Sequence, residues 1–295
     1  MTAARPIALT GVRGQVGWEL RRTLGCLGEV FALDSSTLNL ADGDAIRRIM
    51  REIAPRIIVN AAAYTAVDQA EREPELACTV NAIAPGILAE ESARQDALLV
   101  HYSTDHVFDG SGDRPWREDD ACGPLNVYGA TKLEGERAIQ ATGCRHLIFR
   151  TSWVYGARGR NFLLTMRRLM REQPELKIVA DQIGAPTWCR DLAEATAQVL
   201  AQIVSPAGRF GRAEPWGIYH MTNTGQTSRH GFAEEIRALD DADTCLLPIP
   251  GSDYPAPAKR PLNSRLNNDK LQRVFGIGLQ DWRAALALCL EADSK

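Results

Sequence analysis

A glycine-spaced turn near the start of the chain constrains its fold most. Ile7-Ala8-Leu9-Thr10 is a short apolar run, and it leads into Gly11-Val12-Arg13-Gly14-Gln15-Val16-Gly17 and then an amphipathic stretch. Each glycine has a physical use in a strand-to-helix turn. Gly11 permits the sharp bend, Gly14 lets backbone N–H groups approach a pyrophosphate at the helix N-terminus, and Gly17 lets the helix lie close to the strand. The spacing is Gly-x-x-Gly-x-x-Gly rather than Gly-x-Gly-x-x-Gly, so its weight depends on the pattern around it.

That pattern is a regular alternation. The turn is followed by a predicted helix from about Val16 to Leu27 and a strand from Glu29 to Leu33 that ends at Asp34. Next come a strand at Ile57–Asn60, a helix from about Glu75 to Gln95, a strand at Leu98–Tyr102, a helix carrying Tyr128, and a strand at His146–Arg150. Such β-α-β order predicts an α/β fold: a Rossmann-type, doubly wound parallel sheet that binds ligands beyond the carboxyl ends of its strands. Asp34 suits an adenosine ribose and so NAD, whereas Arg13 suits a 2′-phosphate and so NADP; both stay open.

The pattern changes after Tyr155. Asn161–Glu172 reads as a helix with Arg167, Arg168 and Arg171 on its polar side, and Leu192–Val204 as another. Lys177–Val179 and Gly217–Met221 read as strands returning to the main sheet, and Ser205–Pro215 as a surface loop. Short helices and the loop Pro248–Pro261 follow, and Trp282, Leu286 and Leu290 mark a helix that packs. The expected division is a dinucleotide-binding domain over 1–155 with returning elements from about 177–224. A smaller C-terminal substrate-binding lobe takes 225–295 with part of 156–190. Lys259, Arg260 and Arg265 are candidates for a substrate diphosphate, because cationic forks match phosphate oxygens.

Two residues point to chemistry. Tyr128 and Lys132 are four apart, so on one helix they share a face. An ammonium beside a phenol favours the phenolate and pulls the tyrosine below its usual value of about 10. Such a tyrosine exchanges a proton with a carbonyl or alcohol oxygen. Upstream, His101-Tyr102-Ser103-Thr104-Asp105 ends a predicted strand on the same sheet edge as the glycine turn, and Thr104 offers a further hydroxyl. Carbonyl reduction needs this set: a hydride for carbon and a proton for oxygen.

Composition narrows the classes. A net charge of -3 implies no broad basic surface for nucleic acid. Seven cysteines without a Cys-x-x-Cys pair fit reduced thiols and a cytoplasmic home, and the five histidines lack metal-ligand spacing. No apolar run is long enough to span a bilayer, and Met1 to Pro6 leaves no room for a signal peptide before Ile7.

The Tyr-x-x-x-Lys pair, the early glycine turn and the upstream Ser103-Thr104 resemble the extended short-chain dehydrogenases/reductases. Within them, six segments resemble the dTDP-4-dehydrorhamnose reductase family: Gly14–Leu20, Val59–Asp68, His101–Asp105, Pro124–Gly129, Arg150–Tyr155 and Arg260–Ser264. They span nearly the whole chain. The resemblance implies reduction of the 4-keto group of dTDP-4-dehydro-β-L-rhamnose by NADPH or NADH, with Tyr128 as acid, Lys132 lowering its pKa and holding the nicotinamide ribose, and Thr104 bonding the reacting oxygen. It implies cofactor contacts at Gly14, Gln15, Val16, Asp34, Asn39, Leu40, Ala62, Ala63, Tyr64, Tyr102, Tyr128 and Lys132, to which the turn itself adds Gly11 and Gly17. Substrate contacts fall on Thr104, Asp105 and Trp153, where a flat indole suits a deoxysugar or thymine. It also implies Mg2+ at a homodimer contact, with Glu19 matching one ligand. The acidic pair expected beyond Pro186-Thr187 reads Cys189-Arg190, with Asp191 next, and an arginine opposes a cation. A dehydratase would need an Asp-Glu pair after the threonine, and here His106 follows Asp105. An epimerase is disfavoured by the Arg260–Ser264 run, and a non-catalytic dinucleotide-binding regulatory subunit by the intact Thr104, Tyr128 and Lys132.

Overall fold

The computed structural model describes residues 5–205 and 215–293. Six parallel strands form the central sheet, in the order Gly217–His220, His146–Thr151, Leu98–Thr104, Ile57–Asn60, Ile7–Thr10, Val30–Leu33. Three inner strands, Ile7–Thr10, Ile57–Asn60 and Leu98–Thr104, are buried at every residue, which is why they read as unbroken apolar runs rather than alternating ones. Val30–Leu33 lies at the edge and is exposed at Phe31 and Ala32. Alternate residues serve opposite faces. Leu9, Val59, Val100 and Phe149 meet the helices Gln15–Leu24 and Cys189–Val204, while Ala8, Ile58, Leu99 and Ile148 meet Gly43–Ile53 and Ala84–Arg94.

The long helix expected from Glu75 to Gln95 runs from Pro74 to Arg94, with a π-helical stretch at Thr79–Ile83. Pro85 has no N–H to give the Asn81 carbonyl, and the wider turn absorbs that loss. The freed carbonyl faces Gly135 on the neighbouring helix Val127–Ala141, where a Cβ would come within 2.1 Å of it.

A second core holds the lobe: Tyr155, Leu163, Met166, Phe232, Trp282 and Leu286 pack together between the helices Phe162–Glu172, Arg229–Leu239 and Trp282–Asp293. Here the structure corrects the sequence reading. The strand expected at Lys177–Val179 is Glu175–Val179, and it pairs in parallel with Cys245–Ile249, not with the main sheet. Only Gln173 and Pro174 separate it from the preceding helix, which is committed to the lobe core, so the chain has no length in which to return. Gly217–His220 does return, beside His146–Thr151. Most of the Ser205–Pro215 loop lies outside the described residues. All seven cysteines are free thiols.

Candidate active site

A cleft of about 600 Å³ opens over the carboxyl ends of the strands. The glycine turn forms one wall. Gly11 has φ +74°, and a Cβ there would sit 2.6 Å from the Ala62 backbone nitrogen; a Cβ on Gly17 would lie 2.1 Å from the Gly11 carbonyl. These two glycines therefore hold the turn against the third strand's exit and the helix against the turn. Gly14 precedes the helix, its backbone exposed to the cleft. Of the residues expected at a cofactor, Gly11, Gly14, Gln15, Val16, Asp34, Asn39, Leu40, Ala62, Ala63, Tyr102, Tyr128 and Lys132 all line this cleft. Gly17 and Tyr64 do not. Gly17 acts through packing, and the Tyr64 hydroxyl donates to Glu73 at 2.6 Å, which with burial pushes it up to about 12.

Asp34 is held in its own turn, accepting from the Ser36 hydroxyl and from the Ser36 and Thr37 backbone N–H groups. These bonds, with Arg13 2.6 Å away, pull it down to about 2. Acid and guanidinium thus sit together at the position where a ribose and its 2′-substituent would lie, so the residues fit either dinucleotide. Ser103 Oγ and Thr151 Oγ1 also line the cleft and are buried without a hydrogen-bond partner, as expected of groups that a polar ligand completes.

Tyr128 opens the helix Val127–Ala141, which Asn126 caps by accepting from the Gly129 N–H at 2.8 Å. That helix is anchored beneath by a buried, two-pronged ion pair: Arg150 Nη2 to Glu136 Oε2 at 2.6 Å and Nε to Oε1 at 2.9 Å. Thr104 ends its strand close to the Tyr128 phenol. The Thr104 hydroxyl also donates to Asp105 Oδ1 at 3.0 Å and accepts from the His106 N–H at 3.2 Å.

The tyrosine is not tuned as its spacing from Lys132 suggested. Burial pushes Tyr128 up to about 12, the nearby Thr104 hydroxyl only partly offsets this, and the Asp105 charge adds to it. The reason is where Lys132 goes. Its Nζ donates to the Tyr102 carbonyl at 2.6 Å and lies 3.0 Å from His101 Nε2. Asn60 Oδ1 already accepts from Thr10 Oγ1 at 2.6 Å and the Ala62 N–H at 3.2 Å, so its Nδ2 is the donor to His101 Nδ1 at 3.0 Å. A neutral imidazole then carries its proton on Nε2, facing Lys132. This favours the uncharged amine, and burial pushes Lys132 down to about 8. Burial and the Lys132 charge hold His101 well below its ordinary value. Asn60, His101, Ser103 and Thr151 were missed as site residues, although all four stood inside the quoted runs Val59–Asp68, His101–Asp105 and Arg150–Tyr155.

Of the remaining expected residues, Asp105 and Trp153 follow central-sheet strands, and Lys259, Arg260 and Arg265 lie in the C-terminal segment. Asp105 is buried, with Oδ2 unpartnered. Trp153 is partly buried at φ +46°, so it is not a core tryptophan. Of the diphosphate candidates, Arg260 is bound by Asp68 at 2.6 and 2.7 Å, Arg265 donates to the Asp113 carbonyl, and Lys259 is exposed.

The chain matches, over residues 5–294, the family described as RmlD substrate binding domain. It is 50% identical over 292 residues to dTDP-4-dehydrorhamnose reductase of Burkholderia thailandensis, with 96% of this chain and 97% of that one covered. The chain belongs to the dTDP-4-dehydrorhamnose reductase family. The enzyme of that name from Escherichia coli K12 is 44% identical, with 95% of each chain covered. Among solved structures, dTDP-4-dehydrorhamnose reductase of Bacillus anthracis in complex with NADP superposes with a TM-score of 0.90 at 33% identity, covering 98% of this chain and 99% of that one. A UDP-glucose 4-epimerase from Thermus thermophilus, 20% identical with a TM-score of 0.77, shares the fold.

The residues matched to a magnesium site do not fit a cation. The Glu19 carboxylate is taken by Arg190 at 3.3 Å and Arg22 at 3.5 Å, and Asp191 by the amides of Asn223 and Gln280. Among the described residues no three His, Cys, Asp or Glu side chains gather as a metal set. No helix of the described residues is long and apolar enough to cross a membrane.

Proposed function

We propose that this chain reduces the 4-keto group of dTDP-4-dehydro-β-L-rhamnose with NADPH or NADH, Tyr128 giving the proton. The bound dinucleotide supplies a hydride to the sugar's C4. The chain supplies the rest. Tyr128 stays protonated at neutral pH, because burial holds it near 12, so it can donate to the oxygen that gains charge as the carbonyl is reduced. Thr104, close to that phenol at the strand end, would supply a second donor for the same oxygen by turning its hydroxyl away from Asp105. Lys132, one helical turn along at the cleft's base, fixes the Tyr102 carbonyl and would hold the nicotinamide ribose. The adenosine end fits the glycine turn and the Asp34–Arg13 pair. In this reading the sheet half binds dinucleotide and the lobe forms the substrate side. The product would feed rhamnose-containing polymers such as lipopolysaccharide O-antigen.

The observation that carries this reading is that Tyr128 and Lys132 share one cleft with the glycine turn and Asp34, with Thr104 close to the Tyr128 phenol. Purified protein should consume NADPH or NADH stoichiometrically with dTDP-4-dehydrorhamnose. An epimerase would instead return its cofactor each cycle, so conversion of sugar without net cofactor oxidation would refute the proposal.

A further inference from the structure

Among the described residues the guanidinium of Arg229 has no acidic partner within ion-pair distance. Arg229 begins the helix Arg229–Leu239, and its Cζ lies over Trp153, 3.7 Å from the ring centroid, with the Phe162 centroid 5.5 Å away. These ring contacts are its interactions among the described residues; it has no ion pair and no hydrogen bond there. Burial pushes it down to about 10, which leaves it charged at neutral pH. Asp105 attracts it from beyond ion-pair distance and Arg260 repels it. It also bears on His106, whose ring meets Tyr128 edge-on at 5.4 Å. The guanidinium is therefore within electrostatic reach of the Asp105–Val107 turn that follows Thr104.

Trp153 is built to hold it. Its left-handed backbone directs the indole against Gly184, where any Cβ would come within 2.8 Å of the ring. A guanidinium stacked on an aromatic face keeps its in-plane N–H donors free, and those donors match a pair of phosphate oxygens. The cations expected to meet a diphosphate are engaged or exposed, whereas Arg229 is neither.

We propose that Arg229 binds the diphosphate of the sugar nucleotide through its in-plane N–H groups while its face stays stacked on Trp153. This rests on the reading of the substrate as a dTDP-sugar, and it gives Trp153 a second task, that of a platform for the anion-binding side chain.

Titrating the full-length protein, Arg229→Gln and Arg229→Lys with dTDP and with thymidine tests it, because only dTDP carries the diphosphate. Arg229→Gln should weaken dTDP roughly tenfold to a hundredfold, as loss of a charged hydrogen-bond donor does. Thymidine should be unaffected, and Arg229→Lys should fall between. The KM for the dTDP-sugar should rise in step while kcat holds. Unchanged dTDP binding, or equal weakening of dTDP and thymidine, would overturn the role. So would a fall in kcat at constant KM, which would mark Arg229 as a partner positioning Asp105. A wild-type protein that binds thymidine as tightly as dTDP would defeat the substrate reading itself, and the Arg229 role with it. A wild type that prefers dTDP, with Arg229→Gln unchanged from it, defeats the Arg229 role alone.

Discussion

The two sides of the cleft differ in how far their charges are already satisfied. On the sheet side, Arg13 holds Asp34, and Lys132 is bonded to the Tyr102 carbonyl beside His101. Facing the lobe, Asp105 keeps a buried oxygen unpartnered on the turn after its strand, and among the described residues Arg229 has aromatic contacts but no ion pair. The sheet side is a prepared floor whose geometry follows from backbone topology, with glycines setting the approach of one element to the next. Its unpartnered groups are the neutral hydroxyls of Ser103 and Thr151, whereas the lobe side leaves charged groups unfinished, which a charged substrate would complete. Cofactor binding should therefore tolerate changes on the lobe, while substrate binding should not.

The sharpest way to break that contrast is at Tyr128, where the two sides meet. Tyr128→Phe keeps the ring and removes the proton donor, so turnover should fall about 10²–10⁴-fold while NADPH titration by fluorescence stays near wild type. Near-normal turnover would remove Tyr128 from the chemistry.

The next effect is on stability. Glu136→Ala leaves Arg150 buried and unpaired beneath the catalytic helix, and breaking such a pair costs about 3–5 kcal/mol. Thermal unfolding should show a large drop. A small one would mean that the helix is held by its packing alone.

Trp153→Ala should separate the sides more gently. Its indole is only partly buried, so stability should change by less than the ~3–5 kcal/mol of a core tryptophan, and the KM for the dTDP-sugar should rise while NADPH affinity holds. A large loss of melting temperature with unchanged substrate affinity would make Trp153 structural.

The smallest expected effect concerns pH. Lys132 loses its proton near 8 when folded, against 10.5 as its ordinary value, so the native state sheds the proton first. Its burial penalty is therefore full below about 8, shrinks as pH rises through that value and vanishes above the unfolded pKa. Wild type should gain melting temperature relative to Lys132→Met as pH rises across that window. Parallel curves for the two proteins would show that Lys132 is not held uncharged.

The sheet side was largely legible in the sequence because buried parallel strands leave continuous apolar runs, as at Ile57–Asn60 and Leu98–Tyr102, and because the glycine turn has few alternative uses. The strand at Glu175–Val179 was recognisable as a strand, but a short run carries no mark of the sheet it joins. The spacing of Tyr128 and Lys132 placed both on one helix, yet Lys132's true partners, His101 and Tyr102, lie thirty residues upstream on a strand. Nothing in the sequence singles out Arg229. Its isolation and its seat on Trp153 exist only once Gly184, Trp153 and the lobe helix are brought together.

The central claim, hydride to the sugar's C4 with a proton from Tyr128, is tested most directly by isotope transfer. NADPH deuterated at the transferring position is incubated with dTDP-4-dehydrorhamnose and the wild-type or Tyr128→Phe protein, and the product is read by NMR. One deuterium at C4 per NADPH oxidised by wild type, with transfer greatly slowed in Tyr128→Phe, is the expected result. Product without deuterium at C4, or transfer as fast in Tyr128→Phe as in wild type, would contradict it.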